Sequence, residues 1–428
     1  MRKENRRECM GLIKKPVTGM KDVLPLEMEV REYVIGVIKE TYHAFGFSTI
    51  ETPSVEHIEN LSSKQGGENE KLIFKILKRG EKLNLNEASC EKDLVDCGLR
   101  YDLTLPLVRY YSNNSSKIST PFKALQIGSV WRADNPQKGR YRQFYQCDID
   151  ILGEPSNLAE IELILATTTT LSKLGFSGFE IRINDRRILK AMAAYSGFEE
   201  ENYDQVFIAL DKMDKIKAEG VEAELLENGF SKEMVSKYLN LFQEISDAEN
   251  GLAFLVETLG EYLEDAVSSE LKEIIDSVSQ TKTADFQMVF DPSLVRGMSY
   301  YTGTIFEIAI PAFHASCGGG GRYDKMVGKF TGTDVPACGF SIGFERIIML
   351  LMEQGFQIPE KKQKVAFLIE KGIAKEEICK IITEAQKERE SGVQVSLMRM
   401  NKNKKFQIEQ LEKEGYTVFK KFFREALK

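Results

Sequence analysis

Apolar positions along the chain switch repeatedly between two periods. From Glu27 to Phe45, Val30, Tyr33, Val34, Val37, Ile38, Tyr42 and Phe45 recur three and four apart, which predicts an amphipathic helix ending at Gly46. The pattern then turns strand-like, in STIETPSVE from Ser48 to Glu56, LRYDLTLPLVRY from Leu99 to Tyr110 and FKALQIGSVWRA from Phe122 to Ala133. After the loop NPQKGRYR a return strand, QFYQCDIDILG, runs from Gln143 to Gly153. Connections this short imply antiparallel pairing, because parallel neighbours need long crossovers.

Helical spacing resumes at Leu158 to Lys173, and a strand at Phe179 to Asn184 leads into a long helical, acidic region reaching about Lys282. Strand signals return in DFQMVFD, SYYTGTIFEIAI and SCGGGGRYD, before a helix from Gly343 to Met352. From Lys364 the order is strand, helix, strand, helix, strand, the signature of a small α/β unit. A chain of 428 residues exceeds what one hydrophobic core holds. The expected fold is α+β: an antiparallel sheet of six or seven strands flanked by helices, with a helical insertion and a small C-terminal α/β domain. The expected boundaries are 1–185 for the first part of the core, 186–283 for the insertion, 284–358 for the second part of the core and 364–428 for the last domain.

Net charge changes the picture only when it is located. The chain carries −7 overall, which argues against a nucleic-acid partner, yet Glu199 to Lys282 alone holds 21 Asp or Glu against 7 Lys. That segment is −14, so the remainder is +7: a basic body with one acidic insert. The seven cysteines form no CxxC pair and only three histidines, His43, His57 and His314, stand by to complete a metal site. No protein-held metal is expected, and the isolated histidines read as structural or surface residues. The basic N-terminus leads into no apolar segment and no stretch approaches the length of a membrane span, so a cytoplasmic protein without membrane contact is expected.

No GxxxxGK[ST] loop is present, and Gly318 to Gly321 lack the helix-opening context of a phosphate-binding turn. A nucleotide can be held instead by arginines, whose planar forks match phosphate oxygens bidentately. Arg132, Arg140 and Arg142 surround the hairpin loop, and Arg346 opens the helix behind GFSIGFER. Taken singly, each arginine also reads as a surface or ion-pair residue, and the loop as a solvated turn. The four glycines permit close approach of backbone to a ligand, or equally mark a bulge or turn. Cys147 and Cys317 stand inside the same strings and are candidates to line a pocket.

Together the strings are specific. VWRADNPQKGRYRQFYQCDIDILG resembles motif 2 of the class II aminoacyl-tRNA synthetases, and in particular that of the histidyl-tRNA synthetases. LVRGMSYYTGTIFEI and SCGGGGRYD resemble the two stretches by which that family recognises histidine, and ACGFSIGFERII resembles motif 3. The likeness covers about residues 16 to 355. It implies a class II synthetase sheet, a homodimer formed through the helix Glu27 to Phe45 and the strand holding Thr52 and Pro53, and three substrates: histidine, ATP with Mg2+, and tRNA(His).

Carried across position by position, the resemblance makes Arg132, Arg296 and Arg346 the catalytic set. Arg132 contacts the α-phosphate, Arg140 the outer phosphates, Phe144 the adenine face, and Asp134 lies near its amine. Arg346 caps ATP from the other side and Glu345 lies beside magnesium or the phosphates. Asp102, Thr104 and Gln146 take histidine's α-amino group, Asp150 and Tyr301 its imidazole, and Arg296 its carboxylate and the α-phosphate. Tyr300 and Tyr323 complete the histidine-binding set, with a core role as the alternative for both and for Phe306. Asn135 and Gln137 fall where the acceptor end of tRNA belongs.

Two departures from the family pattern stand out. Ser299 occupies a position that is acidic in many members, and residues 364–428 end at YTVFKKFFREALK, where members usually continue with further strands. The shortened end sustains a rival from another class, the catalytically inert paralogue that regulates ATP phosphoribosyltransferase. A protein freed from aminoacylation has no use for the ATP arginines, yet Arg132, Arg140, Arg296 and Arg346 are all present.

Overall fold

A computed structural model describes residues 12–62, 69–297, 301–311, 313, 316–359 and 362–424, without the side chains of Asn69 and Asp214. The described residues form two compact units, one of residues up to Lys21 with Ile35–Met349, the other of Asp22–Val34 with residues from Leu350 onward. The expected first helix is Pro25–Ala44, with Val30, Val34, Ile38 and Tyr42 buried at four-residue steps.

The larger unit is organised by an eight-stranded sheet, one or two strands wider than the sequence suggested. Its spatial order is Ser48–Thr49, Phe122–Trp131, Gln143–Leu152, Ala337–Ile342, Gly318–Arg322, Thr304–Ala309, Phe179–Asp185 and Phe286–Phe290. The five inner pairings are antiparallel and the two outermost parallel. Both edge strands fall inside expected strand segments, Ser48–Thr49 in STIETPSVE and Phe286–Phe290 in DFQMVFD; the sheet strand that sequence patterning did not name is Ala337–Ile342, which pairs between Gln143–Leu152 and Gly318–Arg322. Between those last two strands runs the helical segment from Arg186 to Thr281, the long crossover that a parallel pair requires.

One expected strand is a helix. LRYDLTLPLVRY divides at Arg100 into the strand Val95–Leu99 and the helix Thr104–Asn114. Pro106 sits in the first helical turn, where no N–H is required, and the Asp102 carboxylate accepts the Leu105 N–H at 3.0 Å. Leu105, Val108 and Tyr111 then bury one helical face, joining Phe122, Tyr323 and Val327 in a shared apolar cluster. STIETPSVE is likewise broken, into Ser48–Thr49 and Val55–His57. Pro53 has no N–H for a ladder, and the Thr52 carbonyl accepts from the Arg100 guanidinium at 2.8 Å. Val55–His57, Val95–Leu99 and Lys75–Leu77 make a separate antiparallel sheet.

In the second unit Lys364–Ile369 lies between Gln394–Arg399 and Val418–Phe422, all parallel, connected by the helices Lys375–Glu390 and Lys404–Lys413. Both faces of the central strand are covered, so it reads as an unbroken apolar run. Val365, Phe367 and Ile369 pack with Ile381 and Ala385, while Ala366 and Leu368 pack with Leu411 and Tyr416. Among the described residues no helix is long and apolar enough to cross a membrane.

Candidate active site

The strand Gln143–Leu152 shows how the larger unit divides apolar core from polar site. Successive side chains alternate faces, so Cys147, Ile149 and Ile151 are buried together while Phe144, Gln146, Asp148 and Asp150 line a cavity of about 1220 Å³. Across the sheet Ser341 stands opposite Asp148, Gly319 opposite Ser341, Glu307 opposite Gly319 and Arg182 opposite Glu307, all five on the same cavity.

The structure brings the sequence-selected residues Asp102, Thr104, Arg132, Asp134, Arg140, Phe144, Gln146, Asp150, Arg296, Tyr301, Tyr323, Glu345 and Arg346 onto this one cavity. Tyr300, Ser299 and His314 lie outside the described residues. Cys147 and Cys317, expected as possible lining residues, are instead fully buried away from the cavity, Cys147 because it occupies the opposite strand face. Burial pushes the Cys317 thiol up to about 11. Phe306 is core, its ring 4.6 Å from that of Phe340. His43 and His57 are exposed and outside the cavity.

The cavity arginines are held by short local contacts. Arg132 donates from Nε to the Tyr101 carbonyl at 3.0 Å, and its guanidinium lies 4.3 Å from the Tyr101 ring and 5.2 Å from that of Phe144. Arg140 forks onto the Asp134 carboxylate at 3.1 and 3.3 Å. Arg296 donates to Glu307 at 2.5 Å and to the Ser316 hydroxyl, and Arg346 donates to the Ser316 carbonyl. Burial lowers the Arg346 guanidinium from its ordinary value, and the positive charges of Arg296 and Arg140 push the same way. Glu345 accepts the Tyr145 N–H at 3.2 Å.

The same cavity is also lined by buried acids. Asp102, Asp148 and Asp150 are each buried to 5% exposure or less. Burial raises Asp150 to about 7, opposed by the Tyr323 hydroxyl that donates to it at 2.6 Å and assisted by the Asp102 charge. Burial, then the Asp150 charge, raises Asp148 well above the usual carboxylate range. Asp150 Oδ2 and Gln146 Oε1 are buried with no hydrogen-bond partner. Orphaned acceptors are costly unless a donor arrives, which suits the cavity to a small ligand bearing an ammonium and an N–H group.

Arginine forks and unsatisfied acceptors on one cavity fit a phosphate-bearing ligand and a small ligand with donor groups. Among the described residues no group of three or more His, Cys, Asp or Glu is placed to hold a metal ion.

Sequence reasoning missed several residues of the cavity. Asp148 was recoverable, since it lies midway between Gln146 and Asp150 in strand alternation. Glu307, Ser316 and Ser341 enter through pairing or loop geometry that local pattern does not carry. Asp204, Asp211, Lys212 and Lys215 come from the helical segment and carried no signal.

A largely antiparallel sheet flanked by helices and bearing a cavity lined by arginines and buried aspartates is the architecture of the class II aminoacyl-tRNA synthetases. Residues 19–347 match the family model described as histidyl-tRNA synthetase. A histidine–tRNA ligase of Leifsonia xyli is 47% identical over 344 residues, covering 78% of this chain and 80% of the relative. One of Flavobacterium johnsoniae is 39% identical, covering 78% and 77%. Among solved structures, a histidyl-tRNA synthetase from Nostoc sp. PCC 7120 superposes with a TM-score of 0.75 at 26% identity, covering 94% of this chain and 90% of that one. A Bacillus halodurans protein described as an ATP phosphoribosyltransferase regulatory subunit/histidyl-tRNA synthetase shares the fold, with a TM-score of 0.74 at 19% identity over 97% and 100% of the two chains. The chain belongs to the histidyl-tRNA synthetase family.

Proposed function

We propose that the protein is a histidine–tRNA ligase, which activates histidine with ATP and transfers it to tRNA(His). The observation that carries this reading is that one cavity is lined both by four arginines of the motifs and by buried acceptors without partners. Asp102, Thr104 and Gln146 bind the α-amino group, and Asp150, with Tyr301 and Tyr323 beside it, takes the imidazole. Tyr300 belongs to the same set by resemblance. Phe144 stacks on adenine with Asp134 near its amine, Arg132 and Arg296 converge on the α-phosphate, and Arg140 and Arg346 take the outer phosphates.

In the first step the histidine carboxylate attacks the α-phosphorus, the bond to the β-phosphate oxygen breaks and pyrophosphate leaves. In the second, a hydroxyl of the terminal tRNA ribose attacks the acyl carbon and AMP leaves. No protein nucleophile is involved; catalysis consists of positioning and of fixed positive charge where negative charge develops. Magnesium arrives with ATP, neutralising its outer phosphates near Glu345. The segments 1–185 and 284–358 form the catalytic core, 186–283 an insertion covering the site, and 364–428 a tRNA-docking domain. The working form is a cytoplasmic homodimer. The rival, an inert regulator, leaves four cavity arginines without use.

Histidine-dependent exchange of pyrophosphate into ATP, beside aminoacylation of tRNA(His), tests the reading. Exchange with histidine and with no other amino acid is expected. A purified protein that exchanges nothing and binds neither histidine nor ATP sinks it.

A further inference from the structure

We propose that Asp148 is a positioning residue of the amino-acid pocket: it holds the Gln146 side-chain amide so that the carbonyl oxygen, not the NH2, faces the incoming ammonium group. The inference rests on the histidine-activating reading of this cavity.

An amide side chain presents two nearly isosteric ends of opposite polarity, and only its partners decide which end faces where. Gln146 and Asp148 stand two apart on the strand Gln143–Leu152 and project from the same face. Gln146 Nε2 donates to Asp148 Oδ2 at 3.3 Å. In the ionised form, which the Ser341 hydroxyl and the Arg132 charge favour against burial, a carboxylate oxygen accepts from an NH2 group but offers an amide carbonyl nothing, so the reversed amide forfeits this bond and sets two acceptors against each other. Gln146 Oε1 is thereby left buried, without a partner, on the cavity wall.

Asp148 is itself held in place. It is 4% exposed, and its other oxygen accepts from the hydroxyl of Ser341, directly opposite on the neighbouring strand. The carboxylate therefore has one oxygen for the sheet and one for Gln146. A short side chain with two fixed acceptors suits this task better than a neutral amide, which can itself turn over and admit either orientation of Gln146.

The consequence is confined to one substrate group. Misoriented, Gln146 would present N–H donors to an ammonium, which has only donors of its own. ATP, which meets the arginines, makes no use of the Gln146 carbonyl.

The test is a double-mutant cycle read by calorimetric histidine binding and by KM values in pyrophosphate exchange. Asp148→Asn should weaken histidine binding about tenfold or more, the scale of one misdirected charged hydrogen bond, with the ATP KM unchanged. On a Gln146→Ala background the same substitution should add little, because the residue it orients is gone. Ser341→Ala, which loosens the carboxylate without neutralising it, should weaken histidine binding in the same direction and by less. Unchanged histidine affinity in Asp148→Asn, full additivity with Gln146→Ala, or an equal loss for ATP overturns the proposal, the last two marking a merely structural role. Should Asp148→Asn fail to fold, the Ser341→Ala result decides alone. Failure of the wild-type protein to exchange while it still binds histidine would count against the ligase reading and leave this inference to the binding data. Absence of histidine binding by the wild type would remove both.

Discussion

Arg296 lies directly against the backbone of Gly319: a Cβ added at that glycine would come within 2.9 Å of the guanidinium carbon and 2.7 Å of the Phe306 carbonyl oxygen. Neither bulge nor turn explains the glycine, since Gly318–Arg322 is a central strand paired on both sides. The missing side chain makes room for the arginine that reaches Glu307 and Ser316. Gly319→Ala should therefore cost on the order of a hundredfold in exchange rate, because small misplacements of a charge-stabilising group are expensive. An alanine variant with unchanged rate would show that Arg296 needs no such clearance.

Arg296→Ala removes the charge and leaves the backbone alone. Exchange should fall by about 10²- to 10³-fold, the usual scale for deleting one preorganised donor to a developing anion. Far-ultraviolet circular dichroism should be unaltered, since Arg296 belongs to the cavity wall and not to the apolar core. Activity close to that of the parent protein would refute its assigned role.

Asp150 should make the empty protein less stable as pH rises. Burial lifts its folded-state value to about 7, against about 3.9 for an unfolded aspartate. Between those limits the folded state binds the proton more tightly, so stability declines from about pH 4 to about pH 7 and then levels off. Asp150→Asn cannot ionise and relieves the like charge on Asp148 as well. Its melting temperature should match the parent's near pH 4 and exceed it at pH 8, while histidine binding is lost. A melting-temperature difference independent of pH would contradict this account.

The contrast between Asp148 and Ser341 shows what was legible in the chain. Segments with strong period-two or period-3.6 patterns were readable, as was the alternating order of the second unit, whereas the inner strand Ala337–Ile342, inside ACGFSIGFERII, was not read as a strand. Asp148 follows from alternation once Gln146 and Asp150 are chosen. Ser341 does not, because its partner is 193 positions away and only the pairing of Ala337–Ile342 with Gln143–Leu152 brings them together. The helix Thr104–Asn114 was misread because Thr104, Val108, Tyr110 and Tyr111 gave it a strand-like look, whereas burial against Phe122 and Tyr323 and the Asp102 hydrogen bond decide its conformation. The thirteen selected residues on the cavity were named from motifs because chemistry is concentrated in contiguous strings; those supplied by the helical segment were invisible for want of any such string.

The tRNA docking proposed for the second unit falls on its basic end. From Arg399 onward the sequence holds nine Lys or Arg against four Glu, and Lys402, Lys404 and Lys405 are exposed. Exposed aromatics accompany them: Phe406 and Phe423 are each 54% accessible, and Lys404 Nζ lies 4.8 Å from the Phe423 ring centre. Basic side chains neutralise phosphates and release counterions, so their loss weakens binding most at low salt. Replacing Lys404 and Lys405 together by Glu should weaken tRNA(His) affinity and reduce the slope of log affinity against log salt by about 2, one per phosphate contact removed. Neither lysine lines the catalytic cavity, so histidine-dependent exchange should be unchanged. Fluorescence anisotropy with labelled tRNA across a salt series measures both quantities. Equal affinity and slope for the parent and the double variant would exclude these lysines from the tRNA contact.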